Sequence, residues 1–487
     1  MSRADALPEA GGEARSSPYL PPEAARGCRY CFDPHSPSLR RALTGPSPQP
    51  DTPLVAADLA ADLEFLHRLL KRQYAGYPDL LQQRDFDADR FFTTWVDGVR
   101  RAGPEVSFRQ GVVEPLAALR AAHPDNHFTF SGADWLLDQD ERLVVHEFQA
   151  VLDRPQLDLA SLRFPDLPGV RWGTLRRAPL LRADGTTCHI VTVSGAGGQQ
   201  TLRLDQHPGE HDEGDGLGGL HLQRRPATPP PAARAPEIPA YEWRVVGDTS
   251  VVTLRSFFNR TAVYEALARF VADFPRHATQ PRILFDLRGN GGGTLGYVQQ
   301  WLQQAVHGSW RSYPRLEIVA GLWPCSRWNQ LVMMQIQEGR VDDALAAEER
   351  ERLRASWPVL PPSQPTVLDA GDRPGRAAHT YGGQVFVLID RHAGSSGELA
   401  ALELKAALGA TILGERSRGT MQYGEVQRFV LPRTGVLCQV PTKRFYFDGE
   451  VESVGVAVNC YLQQIDQDAG EVVPHLSAVS EMVQEMG

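Results

Sequence analysis

Two apolar segments in the second half of the chain, each followed by a turn and a helical pattern, constrain the fold more than any other feature. The first is Arg-Ile-Leu-Phe-Asp at 282–286, which a glycine-rich turn separates from a helical pattern at about 294–305. The second is Gln-Val-Phe-Val-Leu-Ile-Asp at 384–390, followed by a turn and a helical pattern at 398–408. Near-continuous apolar strands are typical of a sheet that helices cover on both faces. The sequence therefore predicts an α/β fold for this half of the chain.

The remainder of the chain is predicted to fall into segments of different character. Leucines three or four residues apart begin a helical pattern near residue 58, short β-like runs follow from about residue 147, and glycine, proline and charge then dominate. The predicted segments are a flexible N-terminal arm (1–52), an N-terminal helical bundle (53–146), a small β-rich segment (147–205), a low-complexity linker or loop (206–240), an α/β core (241–465) with an insertion (310–380), and a C-terminal helical tail (466–487).

Composition and charge exclude several classes of protein. The 487 residues are 42% hydrophobic and 22% charged, which is close to the globular average and excludes a wholly disordered chain. A net charge of −9 disfavours a nucleic-acid partner, and no apolar run approaches the roughly 18 residues of a membrane span. The N-terminus lacks a secretory pattern and the six cysteines form no disulfide framework, so a cytoplasmic location is expected. Cys28 and Cys31 are accordingly predicted to be two reduced thiols.

A glycine-rich turn, Asp-Leu-Arg-Gly-Asn-Gly-Gly-Gly at 286–293, follows the first apolar strand. Glycines carry no Cβ, so the backbone amides of such a turn can approach a ligand closely. The spacing fits neither a phosphate-binding loop nor a dinucleotide fingerprint, since no Lys-Ser or Lys-Thr follows and the third glycine comes too early. An oxyanion hole made of glycine amides suits the turn better. The alternative is a purely structural strand-to-helix turn.

A second turn, Gly-Ser-Ser-Gly-Glu at 394–398, joins the second apolar strand to its helix. A serine there lies beside the amides and the positive dipole end of a helix, as in the nucleophile turns of hydrolases. The alternative is that Ser395 or Ser396 only caps the helix, with Glu398 in its first turn. A third candidate, His127 in His-Pro-Asp-Asn-His-Phe-Thr at 123–129, is by itself no different from a core or surface histidine.

Taken together and in this order, these motifs resemble the tail-specific, or C-terminal processing, serine peptidase family. The pattern is most similar to the branch of the tricorn core protease and the interphotoreceptor retinoid-binding proteins, and it covers roughly residues 58–135 and 245–465. The resemblance implies a catalytic core of the ClpP/crotonase-like spiral type and a serine peptidase that acts on peptides or proteins, without a cofactor or a metal. It places the nucleophile at Ser395, three residues before Glu398.

The resemblance also implies which residue acts as the base. Many members pair the serine with a lysine shortly after a Gly-Glu turn, but here Thr420 stands at that position. The tricorn-like branch uses a histidine instead, which His127 matches, with Asn126 as its polar neighbour. The segment Phe-Asp-Gly-Glu-Val-Glu at 447–452 places Glu452 at the carboxylate that orients the imidazole.

The remaining expectations concern the oxyanion and the use of the site. The amides of Gly292 or Gly293 and of Ser396 are predicted to bind the oxyanion, with Asp286 and Arg288 in support. Two other functions stay open: a catalytically silent binding protein on the same scaffold, and an enzyme that transfers the acyl group to an amine in peptide maturation or cyclisation. The expected partner is a peptide or protein substrate; no nucleic acid or membrane is expected, and a homo-oligomer is left open. A degenerate PDZ-like module in the middle segment is also left open.

Overall fold

The structure is a computed structural model in which two compact units are distinguished. The first consists of Met1–Leu137, Glu317–Leu368 and Tyr423–Arg444, and the second of Asp138–Leu316, Asp369–Gln422 and Phe445–Gly487. The structure describes residues 17–21, 24, 30–82, 86–123, 125–133, 173–181, 187–195, 198–204, 239–307, 316–319, 323–355, 366–369, 378–447, 452, 454–461 and 468–486.

The described chain contains both α-helices and β-strands. The α-helices are α1 (Pro37–Thr44), α2 (Ala56–Gln73), α3 (Tyr77–Gln82), α4 (Ala88–Arg101), α5 (Glu114–Ala122), α6 (Thr261–Ala272), α7 (Phe274–His277), α8 (Gly296–Ala305), α9 (Trp323–Gln337), α10 (Ala344–Ala355), α11 (Ser396–Leu408) and α12 (Leu476–Met486). The strands are β1 (Pro53–Val55), β2 (Glu105–Ser107), β3 (Thr129–Phe130), β4 (Gly173–Leu181), β5 (Thr187–Gly195), β6 (Gly198–Leu204), β7 (Tyr241–Val246), β8 (Thr249–Leu254), β9 (Arg282–Asp286), β10 (Val306–His307), β11 (Leu316–Val319), β12 (Thr366–Asp369), β13 (Ala378–His379), β14 (Gln384–Ile389), β15 (Thr411–Gly414), β16 (Tyr423–Val430), β17 (Leu437–Tyr446) and β18 (Cys460–Tyr461). None of these helices is long and apolar enough to cross a membrane.

The first unit packs helices against a sheet. In α2, Leu59, Leu63 and Leu66 recur at helical spacing and are fully buried, as the sequence pattern predicts. The side chain of Asp87 caps α4 by accepting the N–H of Arg90 at 2.9 Å. The sheet has the strand order β12-β11-β17-β16, and β3 pairs with β17. This pairing fixes the segment after α5, which carries His127.

The predicted flexible arm is too long, because part of it belongs to the core of the first unit. Tyr19, Phe32 and Leu39 are buried there, and Ser36 caps α1 by accepting the N–H of Leu39. The N–H of Phe32 donates to Asn329 Oδ1 at 2.8 Å. The arm and α9, from the predicted insertion, therefore share one core rather than forming separate segments.

The second unit contains a six-stranded sheet of order β18-β15-β14-β9-β8-β7, in which all neighbours except β7 and β8 are parallel. Alternate residues of the strands serve opposite faces of the sheet. Phe285 packs with residues of α6, α8 and α11, whereas Leu284 packs with residues of α12 and the turns before it. Both faces are covered, so the predicted α/β class is confirmed for this unit.

Three further predicted segments can be compared with the structure. Within 147–205, β4, β5 and β6 form an antiparallel three-stranded sheet. The predicted linker at 206–240 lies outside the described residues except for its last two positions. The insertion at 310–380 contributes α9 and α10 to the first unit, and the segment 423–444 of the predicted core also belongs there.

Candidate active site

The carboxyl ends of β9 and β14 lie side by side, because the two strands are parallel neighbours with Val387 opposite Phe285. The glycine turn after β9 and the serine turn after β14 consequently meet. Gly292 has a φ of 101°, and a Cβ on it would lie 2.8 Å from the Cβ of Ser395. Gly293 has a φ of 127°, and its Cβ would lie 1.8 Å from the carbonyl oxygen of Phe257. Only glycine fits at these two positions.

Asn290 holds the two turns together. Its side chain is fully buried; Oδ1 accepts the N–H of Gly292 at 3.0 Å, and Nδ2 donates to the carbonyl of Leu254 at 3.0 Å. Its own carbonyl accepts the N–H of Gly394, the residue before Ser395, at 2.9 Å. Asn290 was not singled out from the sequence, and its place between glycines was the only available signal.

A buried ion cluster lies at the base of the glycine turn. Asp286 is fully buried, and its carboxylate accepts bonds from Arg288 at 2.7 and 2.8 Å and from Arg255 at 2.6 and 2.9 Å. Burial raises the pKa of Asp286, but the two guanidinium groups outweigh it and hold the pKa below its ordinary value. Asp286 and Arg288, the two predicted supports, thus lie paired at the base of the turn. Arg255 was missed, since nothing near it in the sequence marks it.

Ser395 occupies an unusual backbone conformation directly before α11. Its φ of 52° and ψ of −121° lie in a region that L-residues rarely adopt, and Glu425 is the only other described non-glycine residue with positive φ. Such a conformation costs about 1–3 kcal/mol and persists only where the surroundings enforce it. It exposes a serine on a sharp strand-to-helix turn, which is the arrangement of a nucleophile.

The carboxylate of Glu398 lies below this turn and is fully buried. Its Oε2 accepts the N–H of Ser395 at 2.8 Å, the N–H of Thr420 at 2.8 Å and the hydroxyl of Thr420 at 2.9 Å. Its Oε1 accepts the hydroxyl of Ser417 at 2.6 Å and the N–H of Gly419 at 2.7 Å. Burial raises the pKa of Glu398 above its ordinary value, although the bonds from Ser417, Gly419 and Thr420 oppose the rise. The carboxylate ties the loop 417–420 to the serine turn.

The backbone N–H groups around Ser395 differ in whether they already donate a hydrogen bond within the protein. The N–H of Gly292 is engaged by Asn290, whereas neither the N–H of Gly293 nor that of Ser396 has an acceptor among the described residues. The hydroxyl of Ser396 donates to the carbonyl of Gly293 at 2.6 Å and so links the two amide-bearing segments. Two unengaged amides next to a serine suit the binding of a developing oxyanion.

Glu452 belongs to the same unit and is buried. Its Oε2 accepts the N–H of Gln422 at 2.9 Å. The neighbouring segment is fixed by Arg416, whose guanidinium donates to the carbonyls of Val454 and Gly455 at 3.1 and 3.0 Å. Burial lowers the pKa of Arg416 to about 10, which leaves it charged at neutral pH.

His127 and Asn126 lie in the first unit, where both are half-buried. The side chain of Asp125 accepts the N–H of His127 at 2.8 Å and that of Phe128 at 3.1 Å, which forms a turn that fixes the backbone of His127. The hydroxyl of Tyr74 donates to the other carboxylate oxygen at 2.7 Å. Burial raises the pKa of Asp125 to about 6, against the effect of these bonds.

The structure therefore brings together the predicted nucleophile, the predicted oxyanion amides and their supports within the second unit, which also contains Glu452. These features define an α/β enzyme with a serine on a strained strand-to-helix turn. Residues 248–459 match the model of peptidase family S41. This segment, which includes Ser395 and Glu452, is an S41 peptidase domain; the match confirms the family resemblance and the enzyme class, a serine-type peptidase. His127 lies outside the matched segment.

Three solved structures are distantly similar to this chain. Mature CPAF is 14% identical with a TM-score of 0.39, and the match covers 88% of this chain and 96% of that one. The photosystem II D1 C-terminal processing protease is 12% identical with a TM-score of 0.35, over 87% and 97% of the two chains. The tricorn protease is 11% identical with a TM-score of 0.38, over 88% and 37%. No curated protein matches the chain significantly.

Proposed function

We propose that this protein is a serine peptidase that hydrolyses peptide bonds with Ser395 as the nucleophile, His127 as the general base and Glu452 as the carboxylate that orients the imidazole. The observation that carries the proposal is the strained serine turn packed against Gly292, beside the N–H groups of Gly293 and Ser396, which have no acceptor among the described residues. His127 and Glu452 enter through the family pattern in the sequence. The proposal includes a ClpP/crotonase-like spiral core and an N-terminal helical bundle. The cytoplasmic location stays a prediction.

The chemistry follows from these roles. Neutral His127 takes the proton from Ser395 Oγ while that oxygen attacks the carbonyl carbon of the scissile bond. The carbonyl oxygen becomes an oxyanion, which the N–H groups of Gly293 and Ser396 stabilise. The tetrahedral intermediate collapses, the C–N bond breaks, and the imidazolium gives its proton to the leaving amine. Water then attacks the acyl-enzyme in the same way and releases Ser395 together with the new C-terminal carboxylate.

Thr420 argues against a lysine base at this site. Its hydroxyl donates to Glu398 and accepts the N–H of Ser395, so this position supports the backbone of the turn. A threonine hydroxyl cannot accept a proton as a base at neutral pH. The proposed base is therefore the histidine.

A fluorophosphonate probe tests the nucleophile, because it reacts only with activated serines. We expect the probe to label wild-type protein at Ser395, to leave Ser395→Ala unlabelled and to label Ser396→Ala more slowly. Absence of label on folded wild-type protein would support the silent binding protein instead. Label on Ser396 would overturn the assignment.

Digestion of a peptide library in ¹⁸O-labelled water then separates hydrolysis from acyl transfer. Hydrolysis places one ¹⁸O atom in each new C-terminal carboxylate, since water supplies that oxygen. Transfer to an amine gives cyclic or ligated peptides without the label. Mass spectra dominated by unlabelled ligated products would replace the peptidase proposal with the maturation enzyme.

A further inference from the structure

The hydroxyl of Thr420 lies directly beneath the nucleophile turn. Its oxygen is 2.8 Å from the backbone nitrogen of Ser395 and 2.9 Å from Glu398 Oε2, and the residue is buried. The fit is close, because a Cβ on Gly394 would lie 2.9 Å from the same oxygen. Thr420 thus touches the turn from a loop 25 residues away.

The direction of these hydrogen bonds is determined by chemistry. The N–H of Ser395 can only donate, so the threonine oxygen accepts it and directs its own single proton to Glu398 Oε2. A lone pair of the threonine oxygen is then directed at the N–H of Ser395. That N–H also lies 2.8 Å from Glu398 Oε2, so it is shared between two acceptors. Both acceptors favour the observed orientation of the peptide bond between Gly394 and Ser395, and this orientation goes with the positive φ of Ser395.

We propose that Thr420 is a positioning residue for the nucleophile. Its hydroxyl, together with Glu398, holds the N–H of Ser395 and thereby keeps the serine in the strained conformation that presents Oγ for attack. The inference rests on the proposed function, since it takes Ser395 as the nucleophile. Members of the resembled family with a serine–lysine pair place their base at this position. In this chain the same position holds Thr420, which fixes the backbone of the nucleophile instead.

This role differs from ordinary helix capping. A cap for α11 needs only Glu398, which already accepts the N–H of Ser395. Ser417 also binds Glu398, but through Oε1, the oxygen that does not contact Ser395. Among the described residues, Thr420 is the one side chain that bonds both the carboxylate and the backbone of the nucleophile.

The test compares Thr420→Val, which removes the hydroxyl and keeps the size, with Thr420→Ser, which keeps the hydroxyl. The matched control is Thr249→Val, since Thr249 is also buried in the second unit and also donates to a carboxylate, that of Asp248 at 3.1 Å. For each variant the melting temperature, kcat, KM, the pH profile and the rate of fluorophosphonate labelling at Ser395 are measured on the full chain.

We expect Thr420→Val to lower kcat and the labelling rate by roughly 10- to 100-fold with KM little changed, because a small misplacement of the nucleophile acts on the chemical step. The midpoint of the pH profile should not move, since the base is unaltered. Thr420→Ser should stay within about three-fold of wild type. Thr249→Val should keep kcat and the labelling rate, whatever its melting temperature.

Two failures are distinguishable. In the first, wild type is labelled at Ser395 and folded Thr420→Val is labelled at the same rate, or Thr420→Ser loses as much activity as Thr420→Val. Thr420 is then not a positioning residue, and the proposed function stands. If folded wild type is not labelled at all, the proposed function fails first. Should Thr420→Val not fold, Thr420→Ala carries the same expectation, because it removes the hydroxyl without placing a methyl group at that point.

Discussion

Replacing Asp286 with Asn should destabilise the second unit more than any surface charge change. The substitution keeps the volume of the side chain but removes the charge that faces Arg288 and Arg255. Asn also presents an NH₂ group where the carboxylate accepted bonds, so guanidinium donors would face amide donors. The side chain of Arg288 is only 8% exposed, and its charge would stay buried without its partner.

The magnitude follows from the burial of the cluster. Removing one partner of a buried pair costs about 3–5 kcal/mol. The side chain of Arg255 is 23% exposed and can turn partly towards water, so we expect the lower end, about 3 kcal/mol. With a urea m-value of about 2 kcal/mol/M, the unfolding midpoint should fall by about 1.5 M.

The effect of pH has a definite sign. Because the pKa of Asp286 is held below its ordinary 3.8, the unfolded state binds a proton first as the pH falls. The stabilisation by this carboxylate is complete above about pH 5 and is lost as the pH falls further, through the unfolded pKa and then the lowered folded pKa. The difference in unfolding free energy between wild type and Asp286→Asn should therefore be constant from pH 7 to about pH 5 and decrease only in stronger acid.

Urea titrations followed by tryptophan fluorescence measure this difference in unfolding free energy, since Trp301 is buried in the same unit. The control is Asp248→Asn, which removes a charge 3.5 Å from Arg282 on a side chain that is 52% exposed. We expect the control to cost less than about 1 kcal/mol. A loss for Asp286→Asn no larger than that of the control would refute the argument from burial.

Three further predictions concern the site and its surroundings. Ser396→Ala removes the 2.6 Å bond to the carbonyl of Gly293 and should lower kcat/KM about ten-fold on a peptide substrate, whereas Ser395→Ala should abolish it; equal losses would contradict the assignment. Burial lowers the pKa of His277 to about 4, so unfolding takes up a proton, and stability should fall by about 2 kcal/mol between pH 7 and pH 5; His277→Leu should flatten this slope in urea titrations, and an unchanged slope would count against it. With His127 as the base, kcat/KM should rise with pH through one ionisation to a plateau; wild-type activity and an unchanged profile in His127→Ala would show that another group is the base.

The sheet and the glycine turn were predictable because their causes are local. A strand buried on both faces must be apolar throughout, as β9 and β14 are, and a close approach of two backbones must use glycine, as at Gly292 and Gly293. The Ser-x-x-Glu pattern also indicated that Glu398 lies in the first turn of the helix. The two interpretations of that pattern prove compatible, because the residue that caps α11 is also the candidate nucleophile.

Other features depend on partners far away in the sequence, and no local pattern marks them. Tyr19 lies in a segment rich in proline and serine, yet its hydroxyl bonds the backbone of Val430, 411 residues later. Arg255 follows an ordinary strand and meets Asp286 only because β8 and β9 are neighbours. The positive φ of Ser395 depends on Glu398 and Thr420 together, and only the first of these is close in sequence.

The division of the first unit among three stretches of chain has a consequence for how the protein is made. Its sheet needs β16 and β17, which a ribosome adds only after more than 420 residues, while α2 and α4 have long since emerged. Until then the apolar faces of those helices lack their cover, which is the condition under which nascent chains aggregate or recruit chaperones. No single cut yields the first unit from the natural chain. A fragment that ends before residue 423 lacks both strands, and expressing the unit alone requires joining all three stretches by new linkers.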